Sequence, residues 1–218
     1  MKLRSGFFAA MIALVSAGAA NAATFAVQTT PGQVAAVTGL NGGSTVTFDS
    51  LAGGQHSSIS SGGVTITSSA GRMFVDGQYS ENYNTFGQSL TNNGQQIGDF
   101  SFEFDTPISG FGFFIGATDF DWTLRAYDAG DNLLDTLVIG KLSGSNAGDF
   151  VGILASGIKR ATLTGPGEDH IFIDNFTTGV GGPISAVPEP ATWAMMIAGF
   201  GLAGAAIRNA RRRQFLIA

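Results

Sequence analysis

Two aspartates near opposite ends of the region 23–187 have the residue type and the neighbours for cation binding. Asp49 follows the β-branched and aromatic run Thr45–Phe48, and Asp174 lies in the run His170–Phe176. If these runs are the first and last strands of a jelly roll, the fold brings them side by side. Two carboxylates with nearby carbonyl oxygens suit Ca²⁺, which takes about six to eight oxygen ligands. The sequence therefore predicts a structural Ca²⁺ site at Asp49 and Asp174; in the alternative, Asp49 caps a turn and Asp174 hydrogen-bonds a loop.

Other acidic residues form close pairs along the chain. Glu103 and Asp105 lie on one face of a predicted strand, and Asp119–Asp121 places two more acids on one face. A glycosidase holds its two carboxyl groups across a substrate cleft, usually on different strands, and this spacing does not indicate such a cleft. We interpret both pairs as solvated acids of the outer face. The two histidines, His56 and His170, accompany no G-x-S-x-G motif and are interpreted as ordinary polar residues, so we predict that the protein is not an enzyme.

The polar stretch 76–99 holds three aromatic residues, Tyr79, Tyr83 and Phe86, among Asn, Gln and Gly. Long loops of this kind are often functional, and aromatic rings can stack on sugar rings while neighbouring amides hydrogen-bond the hydroxyl groups. These three residues and Trp122 are therefore the candidate ligand-binding residues, with carbohydrate as the ligand. In the alternative, the loop only covers one end of the domain with its rings.

Composition limits the partners and the stabilising chemistry. The region 23–187 holds 15 acidic and five basic side chains, a net charge of about −10. Such a domain repels nucleic acid and anionic membranes, so no nucleic-acid partner is expected. The chain has no cysteine, which excludes disulfides, thiol nucleophiles and thiolate metal sites.

Short β-branched and aromatic runs, entered from glycine-rich turns, recur along the same region without helical periodicity. In Phe100–Asp105 the phenylalanines alternate with polar residues, and Pro107 is expected to end the strand. The runs Trp122–Tyr127 and Leu133–Ile139 flank the turn Asp128–Asn132, which predicts a hairpin. The other predicted strands are Thr45–Phe48, Val64–Thr67, Phe111–Ile115, Phe150–Leu154, Arg160–Leu163 and His170–Phe176. The predicted fold is all-β, an antiparallel, jelly-roll-like β-sandwich.

The first 22 residues have the layout of a secretory signal peptide. Lys2 and Arg4 precede the apolar run Phe7–Val15, and Ala20 and Ala22 form a small-residue cleavage site. We therefore expect an N-terminal signal-peptide helix, cleaved after Ala22, and export of the rest of the chain.

The other end of the chain combines an apolar run with a cluster of arginines. The run Ala191–Ile207 has no ionisable side chain, and as a helix it would reach about 25 Å, close to the ~30 Å hydrocarbon core of a bilayer. Positive residues beside a span stay on the cytoplasmic side, so the domain before the span faces away from the cytoplasm. The expected cytoplasmic anchor consists of Arg208, Arg211, Arg212 and Arg213.

A proline motif precedes this apolar run. Its residues are Pro188, Glu189, Pro190, Trp193 and Ala194, and a Gly- and Ala-rich span and the arginine cluster follow. This order resembles the sorting signal of PEP-CTERM proteins, in the PEPxxWA variant. The resemblance implies a Gram-negative host, export by the general secretory route, transient tethering in the inner membrane and processing by an exosortase. Proteins of this class are typically associated with exopolysaccharide, biofilm and the cell surface.

The order of the predicted strands is also similar to that of jelly-roll domains common in this exported class. The similar segments are Thr47–Asp49, Asp128–Asn132, Phe150–Ile153 and Ile173–Phe176. A further resemblance, to carbohydrate-binding jelly rolls with a structural calcium, supports the Ca²⁺ prediction.

We therefore divide the chain into a signal peptide (1–22), a β-sandwich domain (23–180), a linker (181–187), the sorting signal with a transmembrane helix (188–213) and a tail (214–218). The predicted function is that of an exported, non-enzymatic surface or extracellular-matrix protein. Its expected partners are an exosortase, the inner membrane during sorting, and exopolysaccharide. Two alternatives stay open, a carbohydrate-binding module and a secreted hydrolase.

Overall fold

A computed structural model describes residues 22–92, 98–166 and 168–179 of the chain. In these residues, strands and loops surround one 3₁₀ turn, Pro31–Gln33, and one short helix, α1, Val34–Thr38. The strands are β1 (Ala23–Gln28), β2 (Thr45–Val46), β3 (Gly54–His56), β4 (Ser58–Ser61), β5 (Val64–Ser68), β6 (Met73–Asp76), β7 (Ser89–Thr91), β8 (Phe100–Gly116), β9 (Trp122–Tyr127), β10 (Leu133–Ile139), β11 (Asp149–Thr164) and β12 (Phe172–Gly179). The described strand pairs are all antiparallel, which confirms the all-β, antiparallel prediction.

Two long strands, β8 and β11, pass through both layers of a sandwich-like arrangement. In the first layer, residues 100–103 of β8 pair with 160–163 of β11; β5 and β4 extend this layer on one side, and β9 and β10 on the other. In the second layer, residues 110–114 of β8 pair with 150–154 of β11, and β1 and β12 flank them. Strands β2 and β7 pair with β12, and β7 continues through β6 to β3.

Phenylalanine rings from the two layers meet in the core. Phe102 lies 4.9 Å from Phe176 and 5.8 Å from Phe113, and Phe104 lies 5.5 Å from Phe111, measured between ring centroids. All five rings are buried, and the inward direction predicted for the phenylalanines of 100–105 is confirmed. A buried aromatic side chain removes about 150–250 Å² of surface from water, so this cluster stabilises the contact between the layers.

Pro107 does not end a strand, contrary to the prediction. The predicted strands Phe100–Asp105 and Phe111–Ile115 are both parts of β8, and Phe150–Leu154 and Arg160–Leu163 are both parts of β11. Each long strand therefore continues through a position where the sequence indicates a break.

The register between β8 and β11 explains this continuity. On β11, the paired residues skip from Leu154 to Ile158 and then to Arg160. The β8 partners of Ile158 and Arg160 are Ile108 and Glu103, and Pro107 lies between these two partners. The missing N–H of Pro107 therefore removes no regular ladder bond. The strands bend here from one layer into the other, which a single run of residues cannot indicate.

The hairpin of β9 and β10 is confirmed. Hydrogen bonds from the Asn132 side chain, and from the backbone N–H groups of Asn132 and Gly130, hold the pKa of Asp128 below its usual value. An ionised Asp128 thus closes the predicted turn. Strands β1, β3, β4, β6 and β7 were not predicted, because they are short or lack a clear alternation of apolar and polar residues.

The outer face of the second layer carries a small apolar core of its own. Val34 of α1 and Leu40 pack against Phe114, Phe150 and Leu154. Chain segments outside the sheet therefore cover this face.

Both targeting segments lie outside the described residues, except that Ala22 is the first residue described. Within the described part of the chain, no helix is long and apolar enough to cross a membrane.

Candidate functional site

Residues 77–88, here termed the covering loop, lie on the outer face of the second layer. Tyr83 passes directly over Gly116 of β8, where an added Cβ atom would lie 1.9 Å from the Tyr83 carbonyl oxygen. Glu81, Tyr83 and Asn84 have left-handed backbone conformations, with φ of 65°, 53° and 62°. Left-handed non-glycine residues cost about 1–3 kcal/mol each and persist where their surroundings fix them, often at binding sites. Contacts with the sheet therefore hold the loop in an unfavourable conformation.

Asn84 fixes the middle of the covering loop. Its buried side-chain amide donates to the Ile115 carbonyl oxygen (2.8 Å) and to the Asp149 carboxylate (3.0 Å). Its side-chain oxygen accepts the N–H of Gly148 (2.8 Å), and its backbone N–H donates to Asn146 Oδ1 (2.9 Å). Both polar atoms of this buried side chain are thus satisfied, which makes it a strong attachment point.

Asp174 and Asp49 fix the end of the covering loop. The carboxylate of Asp174, which is 1% exposed, accepts the N–H groups of Phe86 (2.7 Å) and Asn175 (2.6 Å). Asp49 accepts the N–H of Gln88 (2.8 Å). Burial raises the pKa of Asp174 to about 7; the two backbone hydrogen bonds oppose this rise, and the charge of Asp49 adds to it.

The predicted Ca²⁺ site stays a prediction. Asp49 and Asp174 contact two residues of the same loop, Gln88 and Phe86, and the groups that lie against their side-chain oxygens are N–H donors rather than oxygen ligands. Among the described residues, no three His, Cys, Asp or Glu side chains lie together as a metal site. The hydrogen bonds match the alternative in which Asp174 binds a loop.

A cleft of about 230 Å³, here termed the tyrosine cleft, opens beside the covering loop. Tyr83 stacks on the buried Phe172 with ring centroids 5.7 Å apart and an angle of 11° between the planes. Tyr79 stands at 62° to Tyr83 at 5.7 Å. The two half-buried tyrosine rings therefore form an apolar corner. The cleft is lined by Tyr79, Tyr83, Ala117, Asp119, Ser143, Gly144, His170 and Phe172.

Phe86 lies away from this corner. Its ring is 41% exposed and contacts Phe114 edge-on, with centroids 4.8 Å apart. It lines a second cleft, of about 360 Å³, on the side of the covering loop that faces Thr30 and Asn146. The structure thus brings together Tyr79 and Tyr83 of the predicted ligand-binding residues, but not Phe86.

Trp122 is a core residue, which corrects its prediction as a sugar-stacking residue. It is 1% exposed, and its Nε1–H donates to the buried carboxylate of Asp169 (2.7 Å). The alternation of β9 turns Trp122 inward with Leu124, so its ring has no free face. Asp169 also accepts the N–H of Asp119 (2.9 and 3.0 Å) and thereby positions one wall of the tyrosine cleft.

His170 lines the tyrosine cleft, although its sequence context predicted only an ordinary polar residue. Its ring lies 4.6 Å from that of Phe172 and 6.1 Å from that of Tyr79. Its Nε2 atom is buried and has no hydrogen-bond partner in the described part of the chain. Burial lowers the pKa of His170 against the opposing charges of Asp76 and Asp169, which favours the neutral ring at pH 7. The available signal in the sequence was a polar ring at the first position of the predicted strand His170–Phe176.

The acidic pairs are exposed, as expected for solvated acids. Glu103 lies 3.9 Å from Arg160, and Asp119 lies 3.7 Å from Lys141. Of these acids, Asp119 lines the tyrosine cleft, and its neighbour Asp121 does not. Exposed pairs of this kind add little to stability.

The C-terminal end of the chain matches a known family model. Residues 186–213 match the PEP-CTERM protein-sorting motif. The chain carries a PEP-CTERM sorting signal. The match includes the predicted motif Pro188–Ala194 and the arginines from Arg208 to Arg213. The PEP-CTERM signal implies an exported substrate of an exosortase that is sorted through the membrane to the cell surface.

The solved structures that resemble this chain do so only weakly, with low sequence identity and low TM-scores. TmCBM61, solved with beta-1,4-galactotriose, is 14% identical, with a TM-score of 0.34 over 53% of this chain and 86% of that one. A family 29 carbohydrate-binding module is 14% identical, with a TM-score of 0.34 over 53% and 88% of the two chains. At these scores the similarities carry no argument about function. No curated protein matches the sequence.

Proposed function

We propose that this PEP-CTERM protein is a non-enzymatic component of the cell surface or of the extracellular polysaccharide matrix, including biofilm. The observation that carries the proposal is the sorting motif at 186–213, which follows an acidic, cysteine-free β-domain. An exosortase processes the chain after export, and the domain remains outside the cytoplasm. Its core of phenylalanine rings stabilises it there without disulfides.

The lining of the tyrosine cleft supports binding rather than hydrolysis. It contains one carboxylate, Asp119, which is exposed and lies beside Lys141. A glycosidase uses two carboxyl groups, about 5–10 Å apart across the scissile bond, and raises the pKa of one of them. Asp174 has a raised pKa, but it lies beneath the covering loop with its oxygens bound to backbone N–H groups.

Mass spectrometry of the protein from medium, surface and membrane fractions tests the sorting proposal. We expect the surface and medium forms to lack residues 1–22 and to end within 186–213, because both targeting segments are removed. A variant with Pro188→Ala and Pro190→Ala is expected to keep its C-terminal end and to stay in the membrane fraction. Intact termini in every fraction would contradict processing.

The tyrosine cleft favours a second candidate function, carbohydrate recognition. Ligand sites combine an apolar surface with a few placed polar groups, and here two tyrosine rings adjoin Asp119, Ser143 and His170. In a polysaccharide matrix, such a cleft would attach the protein to its surroundings. A glycan array tests this candidate: binding to at least one polysaccharide is expected, and binding to none would remove it.

A further inference from the structure

The charge and size of the tyrosine cleft indicate which sugars it accepts, an inference that depends on the proposed carbohydrate recognition. Asp119 places a carboxylate in its wall, and burial lowers the pKa of His170 and so favours its uncharged form. The nearby Lys141 is exposed and 3.7 Å from Asp119, so it neutralises that charge only in part. The domain itself carries a net charge of about −10. An acidic sugar would meet repulsion from both sources.

The apolar corner suits the face of a single sugar ring. Tyr83 is supported from behind by Phe172, and Tyr79 stands at 62° to Tyr83, so a ring that stacks on one tyrosine touches the edge of the other. The cleft volume of about 230 Å³ is below the ~300–1,000 Å³ of clefts that enclose drug-sized molecules. One sugar unit fits such a space, and the rest of a chain would extend into solvent.

His170 adds an unsatisfied polar atom to this corner. Its Nε2 has no partner among the described residues, and a buried polar group in that state costs about 1–3 kcal/mol. The ring packs against Phe172 and, edge-on, against Tyr79. If the half-buried Tyr79 ring moves aside, a ligand hydroxyl group reaches and satisfies this nitrogen, and a second hydroxyl would donate to the exposed Asp119.

We propose that the tyrosine cleft binds one uncharged sugar unit of a neutral polysaccharide and discriminates against uronic acids. One of the two tyrosines, Tyr79 or Tyr83, stacks on the sugar ring and the edge of the other touches it, while Asp119 and His170 hydrogen-bond its hydroxyl groups.

Calorimetric titration of the full-length protein, in a detergent without sugar head groups, tests the proposal. The neutral probes are β-1,4-linked trisaccharides of galactose, mannose and glucose, and the acidic probe is trigalacturonate. We expect at least one neutral probe to bind, and trigalacturonate to bind at least about tenfold more weakly, or about 1.4 kcal/mol. Equal or tighter binding of trigalacturonate would overturn the inference and leave carbohydrate recognition standing. Binding of no probe would overturn both.

Matched variants locate the site. Tyr79→Ala should weaken the neutral probe about tenfold through loss of stacking, whereas Phe86→Ala, on the same loop but in the other cleft, should bind as the wild type does. Asp119→Asn, an exposed change, should reduce the discrimination against trigalacturonate. His170→Phe keeps the aromatic packing and should weaken the neutral probe severalfold. Thermal melts confirm that each variant is folded, and undiminished binding by folded Tyr79→Ala would overturn the proposed site.

Discussion

At the scale of single residues, Asp174 combines burial with an ionisable group. It is 1% exposed, and its pKa of about 7 lies well above its ordinary value of 3.8. Between those two pH values the folded state holds a proton that the unfolded chain has released. The free energy of unfolding contributed by Asp174 therefore falls as pH rises from about 4 to about 7, by up to ~4 kcal/mol.

The variant Asp174→Asn isolates this contribution. We expect it to be less stable than the wild type at pH 5, because its amide nitrogen faces a backbone N–H where the carboxyl oxygen accepted a hydrogen bond. The difference should shrink by up to about 3 kcal/mol between pH 5 and pH 8, where the wild type has to bury a charge. Denaturant unfolding at a series of pH values measures it.

The contributions of other titrating groups can be separated from that of Asp174 in two ways. His170 has a lowered pKa, so its contribution to stability rises with pH up to about its ordinary value of 6.5, and this contribution cancels when the variant is subtracted from the wild type. The exposed change Asp105→Asn should give a curve parallel to that of the wild type. A difference between Asp174→Asn and the wild type that stays constant from pH 5 to pH 8 would contradict the raised pKa.

At the scale of elements, the position of the covering loop depends on the outer face of strand β8. Gly116 lies on the outer face of β8 next to the inward Ile115, so the outer face is low enough at this position for the backbone of Tyr83 to lie on it. Asn84 then attaches the loop to β8 and to the segment at β11 through hydrogen bonds that span 31 to 65 residues of sequence. The tyrosine cleft exists because the loop is held there.

Gly116→Ala tests this dependence. The new Cβ would lie 1.9 Å from the Tyr83 carbonyl oxygen, so the loop has to move. We expect a loss of stability of about 1–3 kcal/mol and faster hydrogen exchange in residues 77–88. Gly32→Ala is the matched control, since nothing lies within 4 Å of its added Cβ, and it should change stability by less than about 0.5 kcal/mol. Equal effects of the two changes would refute the role of Gly116.

At the scale of the whole molecule, the Ca²⁺ prediction and the observed hydrogen bonds predict different effects of Ca²⁺ on the stability of the fold. If a Ca²⁺ ion binds Asp49 and Asp174, the melting temperature at pH 8 should be higher in Ca²⁺ than in chelator. At a free Ca²⁺ concentration of 100 times the Kd, the ion adds about 2.7 kcal/mol to the free energy of unfolding. Asp49→Asn should then remove the difference, whereas Asp105→Asn should retain it. Differential scanning calorimetry makes the measurement, and equal melting in Ca²⁺ and chelator would reject the ion.

The parts of the fold that the sequence predicted have local causes. The β9–β10 hairpin depends on Asp128–Asn132, a turn that closes by its own hydrogen bonds. The inward phenylalanines of β8 follow from the alternation of side chains along a strand. The bend at Pro107 was missed because it depends on the register of a partner strand about fifty residues away, as in the pairing of Ile158 with Ile108.

The candidate site was predictable only in part. The aromatic residues of 76–99 marked a loop with binding chemistry, and two of them form the tyrosine cleft. Trp122 has the same side-chain chemistry but faces the core, because its position in β9 points inward and Asp169 satisfies its N–H. His170 gave little signal by itself, since its importance depends on Tyr79, which lies 91 residues earlier in the numbering.

The sequence by itself determined that the chain carries a sorting motif and that its domain is built of strands, because a sorting motif and strand patterns are contiguous and act through the residues they contain. The tertiary structure decided which side chains meet. The N–H of Phe86 reaches Asp174 across 88 positions, and the burial of that carboxylate raises its pKa. Such contacts, and the dielectric environment they create, depend on how distant segments pack, which no local pattern records.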